Sequence, residues 1–382
     1  MKRIRIGFLS AQNQNCLDRS VWSGISYYMQ AALKKRKDLE IIYIGDRSGR
    51  AYWLRLIKPI WNPKNAEIGS PEFVKEDENF AAMVKKQLAK TPCDVIFAPV
   101  AGRELMSLET NVPIVSLSDV TFKVLHKAYA LNIDEQTYQW EMKKESLSIA
   151  KSSRVIYSSE WAANSAINDY AAAASKVSVV PFGANLDDIP SNHEGFLTRQ
   201  TACCRLLFVG KGWQRKGGDL AFQTLLALER KGVDVELTVV GNIPPAEVRH
   251  DRLTIIPYLN KRDPKQRQQL RDLFLQANFF VFPTRADCSP IVICEANAFG
   301  LPVITTDVGG IPSIIKSGKN GYMLPLAASA EEYANVIAEV FSDKKSYQNL
   351  VISSRKEYDT RLNWDCWAES VHTVILDLLN DK

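Results

Sequence analysis

The stretch FFVFPTRADCSPIVICEANAFGLPVITT, residues 279–306, decides the fold. Phe279–Phe282 is a short, wholly apolar run, as a strand buried on both faces requires. Pro283-Thr284-Arg285-Ala286-Asp287-Cys288-Ser289-Pro290 interrupts it with two prolines and polar residues and reads as a loop. A helix carrying Glu295 follows. Gly300-Leu301-Pro302 ends that helix, and a second strand runs over Pro302–Thr305. Strand, loop, helix and strand make the unit of a parallel sheet. Ligands of such sheets sit beyond the carboxyl ends of the strands, which is where Asp287 falls. The helix start behind it leaves backbone N–H groups unpaired, and those of Ser289, Ile291 and Val292 can face a phosphate. Glu295, in the first turns of the helix, offers a carboxylate that accepts two hydroxyl hydrogen bonds, as a ribose diol needs.

The same alternation extends to both sides. Leu206–Val209 and Val235–Val240 read as strands around a helix over 218–231, with Ala221, Thr224, Leu225 and Leu228 in register. Leu270, Leu273, Phe274 and Ala277 mark another helical face, and the last two helices are expected near 328–341 and 364–380. Upstream, Ile4–Ser10, Ile41–Ile44, Val95–Ala98, Pro113–Leu117, Arg154–Ser158 and Val177–Pro181 read as strands. Helices follow Gly24 and cover 78–90 and 135–150. Residues 186–203 are polar and irregular. The expectation is an α/β protein of two Rossmann-like domains: 1–185, a linker over 186–204, and 205–363. The final helix, 364–382, is expected to complete the first domain; its broad apolar face suits packing in the second equally well.

With 382 residues and 46% hydrophobic content, the chain has material for two cores. A net charge of +5 fits an anionic ligand or membrane surface. Zinc-finger spacing and an RNA-binding aromatic signature are missing, so no nucleic-acid partner is expected. Seven cysteines without a CxxC pair read as reduced thiols, and no metal site is expected. No apolar run reaches the length of a membrane span and no signal peptide is evident, which points to the cytoplasm. The segment 51–61, AYWLRLIKPIW, interleaves aromatic and basic residues. It reads either as a peripheral contact with the inner membrane face, helped by Lys34-Lys35-Arg36-Lys37, or as a core or cleft-lining segment.

A second cluster, Gly210-Lys211-Gly212-Trp213-Gln214-Arg215-Lys216-Gly217-Gly218, also lies between a strand and a helix. Its spacing is neither the dinucleotide fingerprint nor a P-loop. Glycines admit close backbone approach, and Lys216 with Lys211 or Arg215 suits a diphosphate. Tyr258, beyond another strand, either stacks on a ring or packs in the core. In the first half, Ser23-Gly24 opens a helix, and Asp119 follows a buried strand.

These motifs resemble the family 4 group of retaining glycosyltransferases of GT-B fold. The resemblance rests on the acid-x7-acid pair Asp287 and Glu295, on Gly300-Leu301-Pro302-Val303-Ile304, on Asp307-Val308-Gly309-Gly310 and on Gly318-Lys319-Asn320-Gly321-Tyr322. It covers most of the chain and is strongest from 205 to 325. Three departures stand out: Asp287 where the family usually has Glu, Ser23-Gly24 for its Gly-Gly, and Asp119 near its usual His. The resemblance implies two Rossmann-like domains whose parallel sheets face each other across a cleft. It also implies transfer of a sugar from a nucleoside-diphosphate sugar to a glycan or lipid-linked acceptor hydroxyl, with retention and without metal or other cofactor, in cell-surface polysaccharide or glycolipid assembly. Lys216, with Lys211 or Arg215, would clamp the diphosphate. Asp287 would hold sugar hydroxyls, Glu295 the ribose and Tyr258 the base, with Ser23, Gly24 and Gly210 close to the donor. Asp119 would orient the sugar or accept a proton. Two other readings share this architecture: a catalytically weak sugar-nucleotide-binding subunit of a membrane-associated complex, and a sugar-nucleotide epimerase or phosphorylase.

Overall fold

The computed structural model describes residues 3–9, 16–45, 71–190 and 202–381; the 51–61 segment and most of the linker lie outside them. Contacts divide the chain into two units, Met1–Val180 with Ala368–Lys382, and Pro181–Trp367. The second boundary falls inside the last helix, Trp364–Asn380.

In the first unit, β1 (Ile4–Leu9), β2 (Leu39–Ile44), β3 (Val95–Pro99), β4 (Ile114–Ser118), β5 (Arg154–Tyr157) and β6 (Val177–Val179) form one parallel sheet in the order β2-β1-β3-β4-β5-β6. The chain runs from β1 outward to β2, then returns on the other side of β1, so the direction of winding switches between β1 and β3. Ile6, Phe8, Ile96, Phe97, Val115 and Ile156 are buried along these strands. The helix Ile25–Lys35 turns Ile25, Met29, Ala32 and Leu33 inward, the spacing of one helical face. Its entry is a left-handed turn through Trp22, Ser23 and Gly24, at φ 45°, 55° and 85°. Side chains at Trp22 and Ser23 resist that conformation, whereas Gly24 accepts it.

The second unit repeats the plan. β7 (Cys204–Val209), β8 (Val235–Val240), β9 (Leu253–Ile256), β10 (Phe279–Phe282), β11 (Val303–Thr306) and β12 (Gly321–Leu324) pair in parallel in the order β12-β11-β10-β7-β8-β9. Its switch point lies between β7 and β10, which pair through Phe279 and Leu206. The core is aromatic: Phe274 stacks on Phe299 at 5.2 Å between ring centres, and Phe280 on Phe282 at 5.5 Å.

Several elements differ from the sequence expectation, among them the helices Phe122–Tyr129 and Glu160–Tyr170, which it does not place. A helix over Lys344–Thr360 precedes the final one. Its inward face mixes Tyr347, Leu350, Val351 and Tyr358 with Ser354 and Arg355, so its apolar period is broken. Buried Arg355 is satisfied by the carbonyls of Pro190 and Ala298, at 2.7 and 3.1 Å. The stretch Gly318–Tyr322, read only as a motif, runs into β12. Among the described residues, no helix is long and apolar enough to cross a membrane.

Candidate functional site

Winding in opposite directions from β7 and β10 leaves a crevice beyond their carboxyl ends. The two loops that follow these strands are fastened together there. Thr284, wholly buried, donates its hydroxyl to the Arg215 carbonyl at 3.1 Å. The Arg285 backbone N–H reaches the same carbonyl at 2.8 Å, and Arg215 Nη1 donates to the Ala286 carbonyl at 3.0 Å. Arg285 grips Asp219 in a bidentate pair at 2.8 and 2.7 Å. Two glycines allow the fit. Gly217, at φ 74°, lies where a Cβ would stand 1.9 Å from the Pro283 carbonyl oxygen. Gly309, at φ 56°, lies where one would stand 2.0 Å from that of Asp287.

This fastening sets Lys216 against Asp287. The ammonium and carboxylate form a direct ion pair, with side chains only 13% and 10% exposed. Burial pushes the Lys216 ammonium below its ordinary range, although Asp287 pulls it back up. An ammonium carries three donors, so two remain beyond the one given to Asp287. Lys216 also lies 4.9 Å from the Phe282 ring centre, which supplies an apolar floor.

The helix behind the second loop starts at Ile291, four residues after Asp287, and Pro290 gives it no side-chain cap. Ser289 is 7% exposed, and its buried hydroxyl has no hydrogen-bond partner. An unsatisfied buried hydroxyl beside uncapped amides is costly unless something else pairs with it. Glu295 is 2% exposed and receives Lys261 Nζ at 2.6 Å on Oε1. Exposed Lys211 stands 5.7 Å from the ring centre of Tyr258.

Lys211, Arg215, Lys216, Tyr258, Asp287, Ser289, Ile291, Val292 and Glu295 thus all fall in the second unit, on loops, on the one-turn helix Trp213–Lys216 and on the helix Ile291–Ala298 beyond its strands, with Gly210 directly after β7. Tyr258 is 59% exposed, which removes the core-packing alternative. Arg215 spends one guanidinium nitrogen on joining the two loops. Ser23, Gly24 and Asp119 belong to the first unit: the former pair in the left-handed turn, Asp119 in the turn after β4, where Ser118 Oγ donates to the Val120 carbonyl at 2.8 Å. Glu160 lies in the first turn of a helix capped by Ser159.

Sequence reasoning missed Lys261, Asn242 and Ile243. Asn242, 7% exposed, donates its amide to the Gly210 carbonyl and fixes the glycine loop to the β8 loop. Ile243 is 77% exposed in the loop after β8, the strand that pairs with β9, and β9 leads to Tyr258. The signal for all three is position alone, since each follows the carboxyl end of a strand in this sheet.

Residues 203–343 match the family model described as Glycosyl transferases group 1. Spore coat protein SA of Bacillus subtilis is 28% identical over 44% of this chain and 48% of its own length. D-inositol 3-phosphate glycosyltransferase of Xylanimonas cellulosilytica is 26% identical over 67% of this chain and 64% of its own length. The chain therefore spans about half to two thirds of these curated relatives. The solved structure of Anabaena Alr3699/HepE in complex with UDP and glucose superposes with a TM-score of 0.62 at 16% identity, over 98% of this chain and all of that one. The fold is the two-domain, Rossmann-like GT-B fold.

Proposed function

We propose that this protein transfers a sugar from a nucleoside-diphosphate sugar to an acceptor hydroxyl, with retention at the anomeric carbon. The observation that carries the reading is the buried Lys216–Asp287 pair at the switch point of the second sheet, beside an uncapped helix start. The match of residues 203–343 to group 1 glycosyl transferases supports it, as does the UDP held by a protein of the same fold.

In this reading the free donors of Lys216, with Lys211 or Arg215, neutralise the diphosphate as it leaves. The amides of Ser289, Ile291 and Val292 and the Ser289 hydroxyl add fixed donors to the same phosphates. Preorganised charge of this kind is usually the largest catalytic contribution. Asp287 accepts hydrogen bonds from the sugar, Glu295 from the ribose. Gly210, Ser23 and Gly24 give backbone approach to the donor, and Tyr258 stacks on the base. A diphosphate oxygen takes the acceptor proton on the face from which it departs, while Asp119 orients the sugar or assists that transfer. The lysines do the work a metal would otherwise do, so activity persists in a chelator. The acceptor is a glycan or lipid-linked hydroxyl, met in the cytoplasm or at the inner membrane face.

The test is the thermal midpoint across UDP-, GDP- and ADP-sugars with EDTA present. A donor at about 100 times its dissociation constant stabilises by roughly 2.7 kcal/mol. One nucleotide class should raise the midpoint, and Lys216→Ala should abolish the rise. A folded protein that responds to none of the three contradicts the reading.

A further inference from the structure

Lys261 is the residue that the proposed chemistry leaves unused. It follows β9 in a short turn that is fixed before the next helix begins. The Arg262 N–H binds Asn260 Oδ1 at 3.0 Å, and the Asp263 N–H binds the Asn260 carbonyl at 3.0 Å. The Asn260 N–H in turn binds Gln266 Oε1 at 2.8 Å, and Asp263 caps the helix Pro264–Gln276 through the Gln266 N–H at 2.9 Å. From this turn Lys261 Nζ reaches Glu295 Oε1 at 2.6 Å. The two ends of the pair differ sharply: the Glu295 side chain is 3% exposed and that of Lys261 47%. A carboxylate buried that deeply is expensive to keep without a cation and hydrogen bonds. Among the described residues it has one side-chain partner, Lys261, on one oxygen.

We infer that Lys261 is a positioning residue for ribose recognition: by holding Oε1 it fixes the Glu295 carboxylate with its second oxygen toward the ribose hydroxyls, and so sets the preference for ribonucleotides over 2′-deoxyribonucleotides. The inference rests on the donor-site reading above and deepens it. Lys261 enters from the solvent side, so its ammonium compensates the Glu295 charge next to an incoming diphosphate. Without it the carboxylate loses both its charge partner and its anchor, and its aim at the ribose is lost.

The experiment measures calorimetric affinity for UDP, GDP and ADP, then for the 2′-deoxy form of whichever binds. Four proteins are compared: wild type, Glu295→Gln, Lys261→Met and Lys261→Arg. Thermal midpoints establish that each is folded. Wild type should prefer the ribonucleotide by about tenfold or more, the worth of a hydrogen bond to a charged group. Lys261→Met should compress that preference to within about threefold, with Lys261→Arg restoring it, since a cation on a long stem can again hold the carboxylate. Equal losses for ribo and deoxy ligands in Lys261→Met would overturn the inference, because they mark a phosphate contact or a purely structural role. If Glu295→Gln keeps the full preference, the ribose assignment of Glu295 fails, and this inference with it. If no nucleoside diphosphate binds wild type, the donor-site reading itself is wrong.

Discussion

At the level of single residues, the buried Lys216–Asp287 pair lies at the centre of the candidate site. Removing one partner of such a pair leaves the other charge uncompensated, so Lys216→Ala should destabilise the second unit by about 3 kcal/mol. Lys216→Ala combined with Asp287→Asn should recover much of that stability, yet neither variant should bind a nucleoside diphosphate. Thermal unfolding followed by calorimetry separates the two effects; a double variant that binds like wild type would remove Lys216 from the site. Gly309 makes a sharper structural claim. A methyl there meets the Asp287 carbonyl oxygen at 2.0 Å in a left-handed backbone. Gly309→Ala should therefore cost more than about 2 kcal/mol and weaken nucleotide binding through displacement of Asp287, read in the same two assays. The sequence already displayed this pair and these glycines, because motif spacing records which backbone positions must be close. It did not display Lys261: one lysine among 48 basic residues has no distinguishing neighbours until β9 puts its loop beside Glu295.

At the level of elements, strands and their loops were legible because short apolar runs alternate with polar, glycine-rich breaks. The helix Lys344–Thr360 was not, because it buries Ser354 and Arg355 against carbonyl partners that only the folded chain supplies. The helix Glu135–Lys151 hides a comparable feature. Glu145 is only partly buried as a residue, but its carboxyl is enclosed near Tyr157 Oη, at 3.5 Å, and the Phe122 N–H. Burial pushes that carboxyl up to about 7 from 4.5; Glu141 adds to the rise, while Lys144 and the hydrogen bonds oppose it. As pH rises from about 4.5 to about 7, the unfolded chain has released a proton that the folded chain still holds, so stability falls across that window. Glu145→Gln removes this dependence. Its stability relative to wild type should rise by up to about 3 kcal/mol between pH 4 and pH 8, measured by thermal unfolding at both. An unchanged difference would place the carboxyl in solvent.

At the scale of the whole molecule, two sheets with the same winding divide the named residues: the donor loops all belong to Pro181–Trp367, while Ser23, Gly24 and Asp119 belong to the unit that Ala368–Lys382 joins. Sequence placed the second boundary at 363, at the start of the last helix; contacts place it after Trp367, because Trp364 stacks on Phe182 at 5.8 Å and bonds Asn185 at 2.9 Å within the second unit. Apolar periodicity alone has no means of assigning one helix to two cores. The central claim is that a nucleoside diphosphate is held beyond β7 and β10, and hydrogen exchange read by mass spectrometry tests it most directly, in the presence of UDP, GDP or ADP. The account predicts slowed exchange at residues 210–217 and 286–295, and at the loop carrying Tyr258 and Lys261, with one of the three nucleotides. Protection confined to other segments, or none with any of them, would contradict it.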